Sequence, residues 1–325
     1  MPEKKRYLYG PVPSRRLGRS YGIDIVPFKV CTLDCVYCQL GKTLEKTVER
    51  RDYVPVESVL AELKEALAEG VAADFVTIAG SGEPTLHARL GELVDGIRKI
   101  TNIPVAILTN GTLLYKSDVR ADCAKADVVM PSLDAADEET FQRINCPCRA
   151  ISVEKVISGL CAFRDEFAGQ IWLEVFLVEG INTGPHQIAR IKEAADRIRP
   201  DKIQLNTAVR PTADPNIVPL DAGRLQAIAA RLGPRCEVVA DFPAARRNTF
   251  AGSKTQETLE LHSPTGYKAE TLLSMLKRRP CSLKDISAGL GMSHDEALVH
   301  VTDLQRRKLV QSEEKDGRVF FKAST

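Results

Sequence analysis

The sequence predicts an α/β protein: a full or partial TIM-like (β/α)6 barrel followed by a small C-terminal winged helix-turn-helix domain. Three observations carry this reading. Between about residues 22 and 240, short β-branched apolar runs alternate with longer stretches of helical periodicity, the pattern of repeated strand–helix units. The runs are nearly continuous rather than alternating, as parallel strands buried on both faces require. After residue 265, three helical patterns precede two short strands around an Asp-Gly turn, which reads as three helices and a hairpin wing. An open doubly wound sheet is the alternative for the first part.

The candidate strands are Gly22–Val26, Phe75–Ile78, Val105–Thr109, Val128–Met130, Trp172–Val178, Lys202–Leu205 and Glu237–Val239. Between them Val59, Leu63 and Leu67, then Leu86, Leu90 and Val94, then Ile188, Ile191 and Ala195 recur at helical spacing. Residues 1–245 are assigned to the barrel with an N-terminal extension, 246–264 to a polar linker and 265–325 to the terminal domain. In that domain Ala269–Lys277 reads as a helix, Ser282 caps a second, and His294–Arg306 forms a third. In either architecture, reactive residues belong just after the carboxyl ends of the strands.

Composition narrows the function classes. Among 325 residues, 45 Lys and Arg stand against 43 Asp and Glu, so no global basic field grips nucleic acid, although a local patch is compatible with the sum. An apolar fraction of 44% excludes wholesale disorder. No run approaches the roughly 18 apolar residues of a membrane span, and the charged N-terminus has no apolar stretch after it. The expectation is a cytoplasmic protein without membrane contact. Nine cysteines, an odd number, argue for reduced thiols rather than a disulfide framework.

Three of these cysteines form the informative motif, Cys31-Thr-Leu-Asp-Cys35-Val-Tyr-Cys38, directly after the first candidate strand. Three thiolates so close together can bind three irons of a [4Fe–4S] cluster and leave the fourth open. Structural zinc usually wants four ligands in paired spacings, and none of the five histidines is nearby in sequence. Zinc and simple burial remain the competing readings.

The CxxxCxxC spacing, with Tyr37 before the last cysteine, resembles the signature of radical S-adenosylmethionine (SAM) enzymes, and the resemblance extends over residues 10–245. The flanking Gly10-Pro-Val-Pro-Ser-Arg-Arg-Leu-Gly18 and Cys35–Gly41 resemble the branch related to wyosine-base (tRNA imidazoG) synthases. The resemblance implies a [4Fe–4S] cluster on Cys31, Cys35 and Cys38, with SAM on the open iron. One electron then cleaves SAM to methionine and a 5′-deoxyadenosyl radical, which abstracts hydrogen from a substrate. It also implies a low-potential electron donor such as flavodoxin or ferredoxin. RNA modification is the favoured substrate class, with a peptide or small molecule as the alternative.

The same resemblance assigns a SAM pocket. Ser81, Gly82 and Glu83 match a Gly-Gly-Glu-like motif that holds the amino group of SAM, with Ser in place of the first Gly. Asn110, Ser132 and Asp134 follow the next two strands with polar groups suited to ribose or carboxylate, and each is equally suited to capping a helix. Glu174 is a charge inside an apolar strand, and therefore lines a lumen or is paired. Asn206 and Arg210 follow the sixth strand, and Tyr37 completes the set. Arg15 and Arg16 are candidates for a substrate phosphate or carboxylate. Cys146 and Cys148, with Cys123 or Cys161, could carry an auxiliary cluster.

Residues 265–325 hold eleven basic and eight acidic side chains, with Asp295, Glu296 and Asp303 on the third helix, which disfavours DNA readout by that helix. A second functional class, an iron–sulfur sensor regulating DNA through the winged helix, would use this domain differently. If the domain serves recognition, its removal is expected to leave SAM cleavage intact and weaken substrate binding.

Overall fold

The computed structural model describes residues 7–240 and 265–324. The interval assigned to a linker, 246–264, lies outside the described residues. In chain order the elements begin with β1 (Leu8–Ser14), β2 (Gly18–Ile23), β3 (Val30–Cys31) and β4 (Glu45–Lys46). There follow α1 (Val56–Ala68), β5 (Phe75–Ile78), α2 (Leu90–Ile100), β6 (Val105–Thr109), α3 (Ser117–Cys123), β7 (Val128–Pro131), α4 (Glu138–Asn145) and α5 (Val153–Glu166). Next are β8 (Gln170–Leu177), α6 (Pro185–Ile198), β9 (Lys202–Thr207), α7 (Ala222–Leu232) and β10 (Cys236–Val238). The C-terminal part contains α8 (Thr265–Leu276), α9 (Leu283–Leu290), α10 (His294–Arg306), β11 (Val310–Lys315) and β12 (Arg318–Ala323).

Eight strands form one sheet in the order β1-β2-β5-β6-β7-β8-β9-β10. From β2 onward every neighbour is parallel, and only β1 runs antiparallel, on β2. β1 and β10 are therefore edges, so the α/β barrel is partial, with a seam between them. Parallel neighbours need crossover helices, and the continuous apolar runs are what allow these strands to be covered on both faces. Alternate residues divide accordingly. Val105 and Ile107 of β6 join the large core under the helices, whereas Ala106 packs with Val128, Met130, Trp172 and Leu17 on the other face.

Two departures from the predicted strands bear on the site; elsewhere strand ends move by one or two residues. β1 has no counterpart in the predicted strands because Pro11 and Pro13 interrupt it, and proline removes ladder donors. An edge strand tolerates that loss, since half its groups face away from the sheet. β2 spans Gly18–Ile23 rather than Gly22–Val26, because Asp24 onward turns aside into the cysteine loop.

The C-terminal elements pack on β1. Val12 shares a cluster with Leu272, Met275, Leu276, Ile286 and Val301. A Cβ on Gly289 of α9 would lie 2.9 Å from Pro13 Cδ, so glycine permits this close approach. Ser282 caps α9 through a reciprocal box with Asp285. Asp316 and Gly317 both take positive φ, as a two-residue hairpin turn demands. Across the seam, Arg210, in the loop after β9, pairs with Asp285 at 3.3 Å. The C-terminal elements thus touch both margins of the open barrel. Among the described residues no helix is long and apolar enough to cross a membrane.

Ile286 is fully buried at the centre of this contact. Ile286→Ala is expected to cost about 2–4 kcal/mol, read as a lower urea midpoint for unfolding.

Candidate active site

The cysteine loop leaves the carboxyl end of β2, forms the short β3–β4 ladder and returns toward α1. Its shape is fixed by backbone hydrogen bonds. Asp34 N donates to Asn145 O and Val36 N to Ile144 O, both at 3.0 Å, docking the loop on the end of α4. Ala213 N donates to Cys38 O at 2.8 Å, which ties it to the segment after β9.

Each of the three sulfurs has a side-chain nitrogen donor. Lys29 Nζ lies 3.0 Å from Cys38 Sγ, Asn110 Nδ2 3.5 Å from Cys31 Sγ, and Asn145 Nδ2 3.5 Å from Cys35 Sγ. Burial pushes the Cys31 thiol up to about 12, with Glu83 adding to it. Burial also drives Cys35 well above the ordinary thiol range, with Asp134 adding to the shift and Asn145 opposing it. Such thiols ionise only when a strong positive centre arrives, and iron is one. Among the described residues no three His, Cys, Asp or Glu side chains are arranged around a single metal ion. A cubane spreads its thiolates over separate irons and makes no such demand. The donor set fits a [4Fe–4S] cluster that Cys31, Cys35 and Cys38 could hold. Asn145 Oδ1 is buried without a hydrogen-bond partner beside this loop, an acceptor open to an incoming N–H.

The Ser81–Glu83 segment lies against the same loop. A Cβ on Gly82 would fall 2.4 Å from Val30 O and 2.7 Å from Val26 Cγ1, so the glycine is required by the approach of the cysteine loop itself. Ser81 donates from its N (3.2 Å) and Oγ to Asp24 Oδ2. Glu83, only 2% exposed, receives Thr85 N at 3.0 Å, Thr85 Oγ1 and Thr109 Oγ1 both at 2.6 Å, and Asn110 N at 2.8 Å. Its carboxyl is raised by burial and held back by those four donors. It ties the end of β5 to the end of β6 and sets the backbone of Asn110. Asn110 in turn reaches Thr32 Oγ1 at 2.7 Å.

Asp134 is buried beside Tyr37. It accepts Tyr37 OH at 2.5 Å, Asn145 Nδ2 at 2.7 Å and Phe176 N at 2.8 Å, and the Tyr37 ring stacks on Phe176 at 3.9 Å. Burial lifts the Asp134 carboxyl to about 6 against the pull of these donors. Ser132 lines a small cavity with Asn110, Asp134 and Asn145. Glu174, paired across a β-bridge with Ser132, forms a second group. It receives Arg16 Nη1 at 2.6 Å and Asn206 Nδ2 at 3.1 Å. Burial would raise this carboxyl, but Arg16, Asn206 and Arg15 hold it below the usual range. The structure therefore brings Tyr37, Asn110, Ser132 and Asp134 together with the cysteines. It places Glu174 and Asn206 in an adjoining cluster with Arg16.

Among the remaining cysteines, Cys123 is packed in the core, and burial raises the thiols of Cys146, Cys148 and Cys161.

Four participants were not visible as such in the sequence. Lys29 is 4% exposed and has positive φ, in a stretch otherwise apolar. Asn145 ends a helix. Asp24 and Arg278 are separated by 254 positions, yet Arg278 Nε meets Asp24 Oδ2 at 3.0 Å with side chains 11% and 8% exposed. Arg278 also lies 4.6 Å from the centre of the Tyr9 ring. The C-terminal elements therefore neutralise the acid that holds Ser81.

The comparisons agree with the fold. A family model described as the Radical SAM superfamily matches residues 25–198. The chain belongs to the radical SAM superfamily, whose members use a [4Fe–4S] cluster and SAM. It is 37% identical over 205 residues to a UPF0026 protein of Synechocystis, covering 63% of this chain and 76% of that one. It is also 37% identical over 309 residues to a protein named GTPase Obg from Brachyspira hyodysenteriae, covering 95% of this chain but only 43% of that protein's length. Streptococcus suis SuiB bound to S-adenosylmethionine has the same fold, with TM-score 0.51 at 17% identity over 69% of this chain and 51% of that one.

Two outcomes follow from this packing. Gly82→Ala is expected to destabilise the protein by about 1–3 kcal/mol and to lower bound iron after reconstitution, measured by iron assay. Arg278→Met is expected to cost about 3–5 kcal/mol by leaving Asp24 unpaired. The double variant Asp24→Asn/Arg278→Met should regain part of that loss in urea melts.

Proposed function

We propose that this protein is a radical SAM enzyme that abstracts hydrogen from an RNA substrate. One observation carries the enzymatic reading: three cysteine sulfurs gathered on one loop at the carboxyl rim of a parallel sheet, each supplied with a side-chain N–H donor. When bound there, the cluster and SAM supply a 5′-deoxyadenosyl radical.

The chain's own residues serve this chemistry by holding and excluding. Cys31, Cys35 and Cys38 are the ligands, and Lys29, Asn110 and Asn145 stabilise sulfur charge through their N–H groups. Glu83 fixes Asn110, and Ser81 and Gly82 bring the loop after β5 against the cysteines. Asp134 anchors Tyr37 over Phe176, an apolar wall that keeps water from the site. A low-potential flavodoxin or ferredoxin delivers the electron.

RNA as substrate is favoured by the resemblance of residues 10–18 and 35–41 to the wyosine-base synthase branch. The extra upstream cysteines of those synthases have no counterpart before Cys31. The C-terminal helices and hairpin, read as a winged helix, would present the substrate at the seam.

Anaerobic reconstitution should give about four irons per chain and, with dithionite and SAM, release 5′-deoxyadenosine. Cys35→Ala should abolish both. Zinc bound through the cysteines, with no 5′-deoxyadenosine, would refute the reading.

A further inference from the structure

A cavity of about 750 Å³ lies at the seam, walled on one side by the β1–β2 turn and β9 and on the other by the C-terminal helices and hairpin. Six cationic side chains line it: Arg15, Arg16, Arg210, Arg279, Lys284 and Arg318. Against them stands one lining carboxylate, Asp285, already paired with Arg210. Glu174 lies behind Arg16 and balances one further charge. Among the lining residues cationic side chains thus outnumber carboxylates, although the whole chain is nearly neutral. This concentration is placed by the fold, because its members come from four separate stretches of sequence.

A second observation points to a ligand. Arg279 Nε is buried with no hydrogen-bond partner, while Arg279 Nη2 donates to Pro13 O at 3.5 Å. A buried guanidinium donor without an acceptor is costly, and it belongs to a side chain that lines the cavity. Several guanidiniums around one space suit a group with more than one negative charge and several oxygens, which is phosphate rather than a single carboxylate. The volume is in the range of sites that enclose a nucleotide-sized molecule. Asn206 lines the cavity and donates to Glu174, so the space adjoins the cluster next to Tyr37 and Asp134.

We propose that the cavity between the barrel seam and the C-terminal elements binds the phosphate groups of the substrate. This rests on the radical SAM reading and deepens it: the phosphates are held by the arginines while the reacting carbon faces the cysteine loop. The phosphate donor is either a free nucleotide or an RNA strand.

The test measures binding by calorimetry to tripolyphosphate, to GTP and to a 5′-phosphorylated RNA 12-mer, at fixed salt. Wild-type protein should bind tripolyphosphate, and Arg15→Gln/Arg318→Gln should weaken that binding by at least about tenfold with iron content and circular dichroism unchanged. Arg279→Gln should do the same independently. Arginine-dependent binding tighter for GTP than for tripolyphosphate names a nucleotide, and tighter binding of the RNA names a strand. No binding of any probe, or equal binding by wild type and variants, overturns the inference while iron and 5′-deoxyadenosine release leave the radical reading standing. Arginine-dependent binding without a cluster overturns the radical reading alone.

Discussion

Gathering three thiols on one loop, with those of Cys31 and Cys35 withdrawn from water, is the constraint on which the rest of the structure depends. Burial disfavours the charged form of Cys31 and Cys35, so the loop is chemically incomplete unless a positive centre joins it. The surrounding residues are arranged for that event. Each sulfur already has a nitrogen donor, and those donors are themselves held: Asn110 through Glu83 and Thr32, Asn145 through Asp134. The carboxylates near the cysteines act mainly as struts, because their oxygens are occupied by protein donors.

The second constraint is the open edge of a partial barrel. Seven parallel strands plus one antiparallel edge leave a seam, and unpaired edges demand cover. Here the cover is the chain's own C-terminal part, which packs on β1, reaches the loop after β9 through Asp285 and sends Arg278 beneath the Ser81 loop. Closing the seam and supporting the site are thus one structural act. The cationic cavity is its by-product, since the wall is built from both parts.

Much of this was legible in the sequence. Continuous apolar runs identified the parallel strands, since period and burial are local properties. The cysteine spacing marked the loop. Phe75–Ile78 and His294–Arg306 fell where the pattern put them. The rest was hidden for physical reasons. β1 was masked by Pro11 and Pro13, tolerable only because it is an edge. The place of Gly82 was legible but its reason was not: the backbone it admits is Val30 of the cysteine loop, within this protein. Arg278 and Asp24 carry no sequence signal of their pairing, because a contact across 254 positions is a property of tertiary packing. Lys29 reads as an ordinary surface lysine until its burial is known.

The central claim is that three cysteines leave one corner of a cluster open to SAM. Mössbauer spectroscopy of the protein reconstituted with iron-57 tests it most directly. The account predicts that adding SAM changes the isomer shift of about one iron in four and leaves the others as they were. A spectrum indifferent to SAM, or a cluster whose irons all remain equivalent, would contradict it.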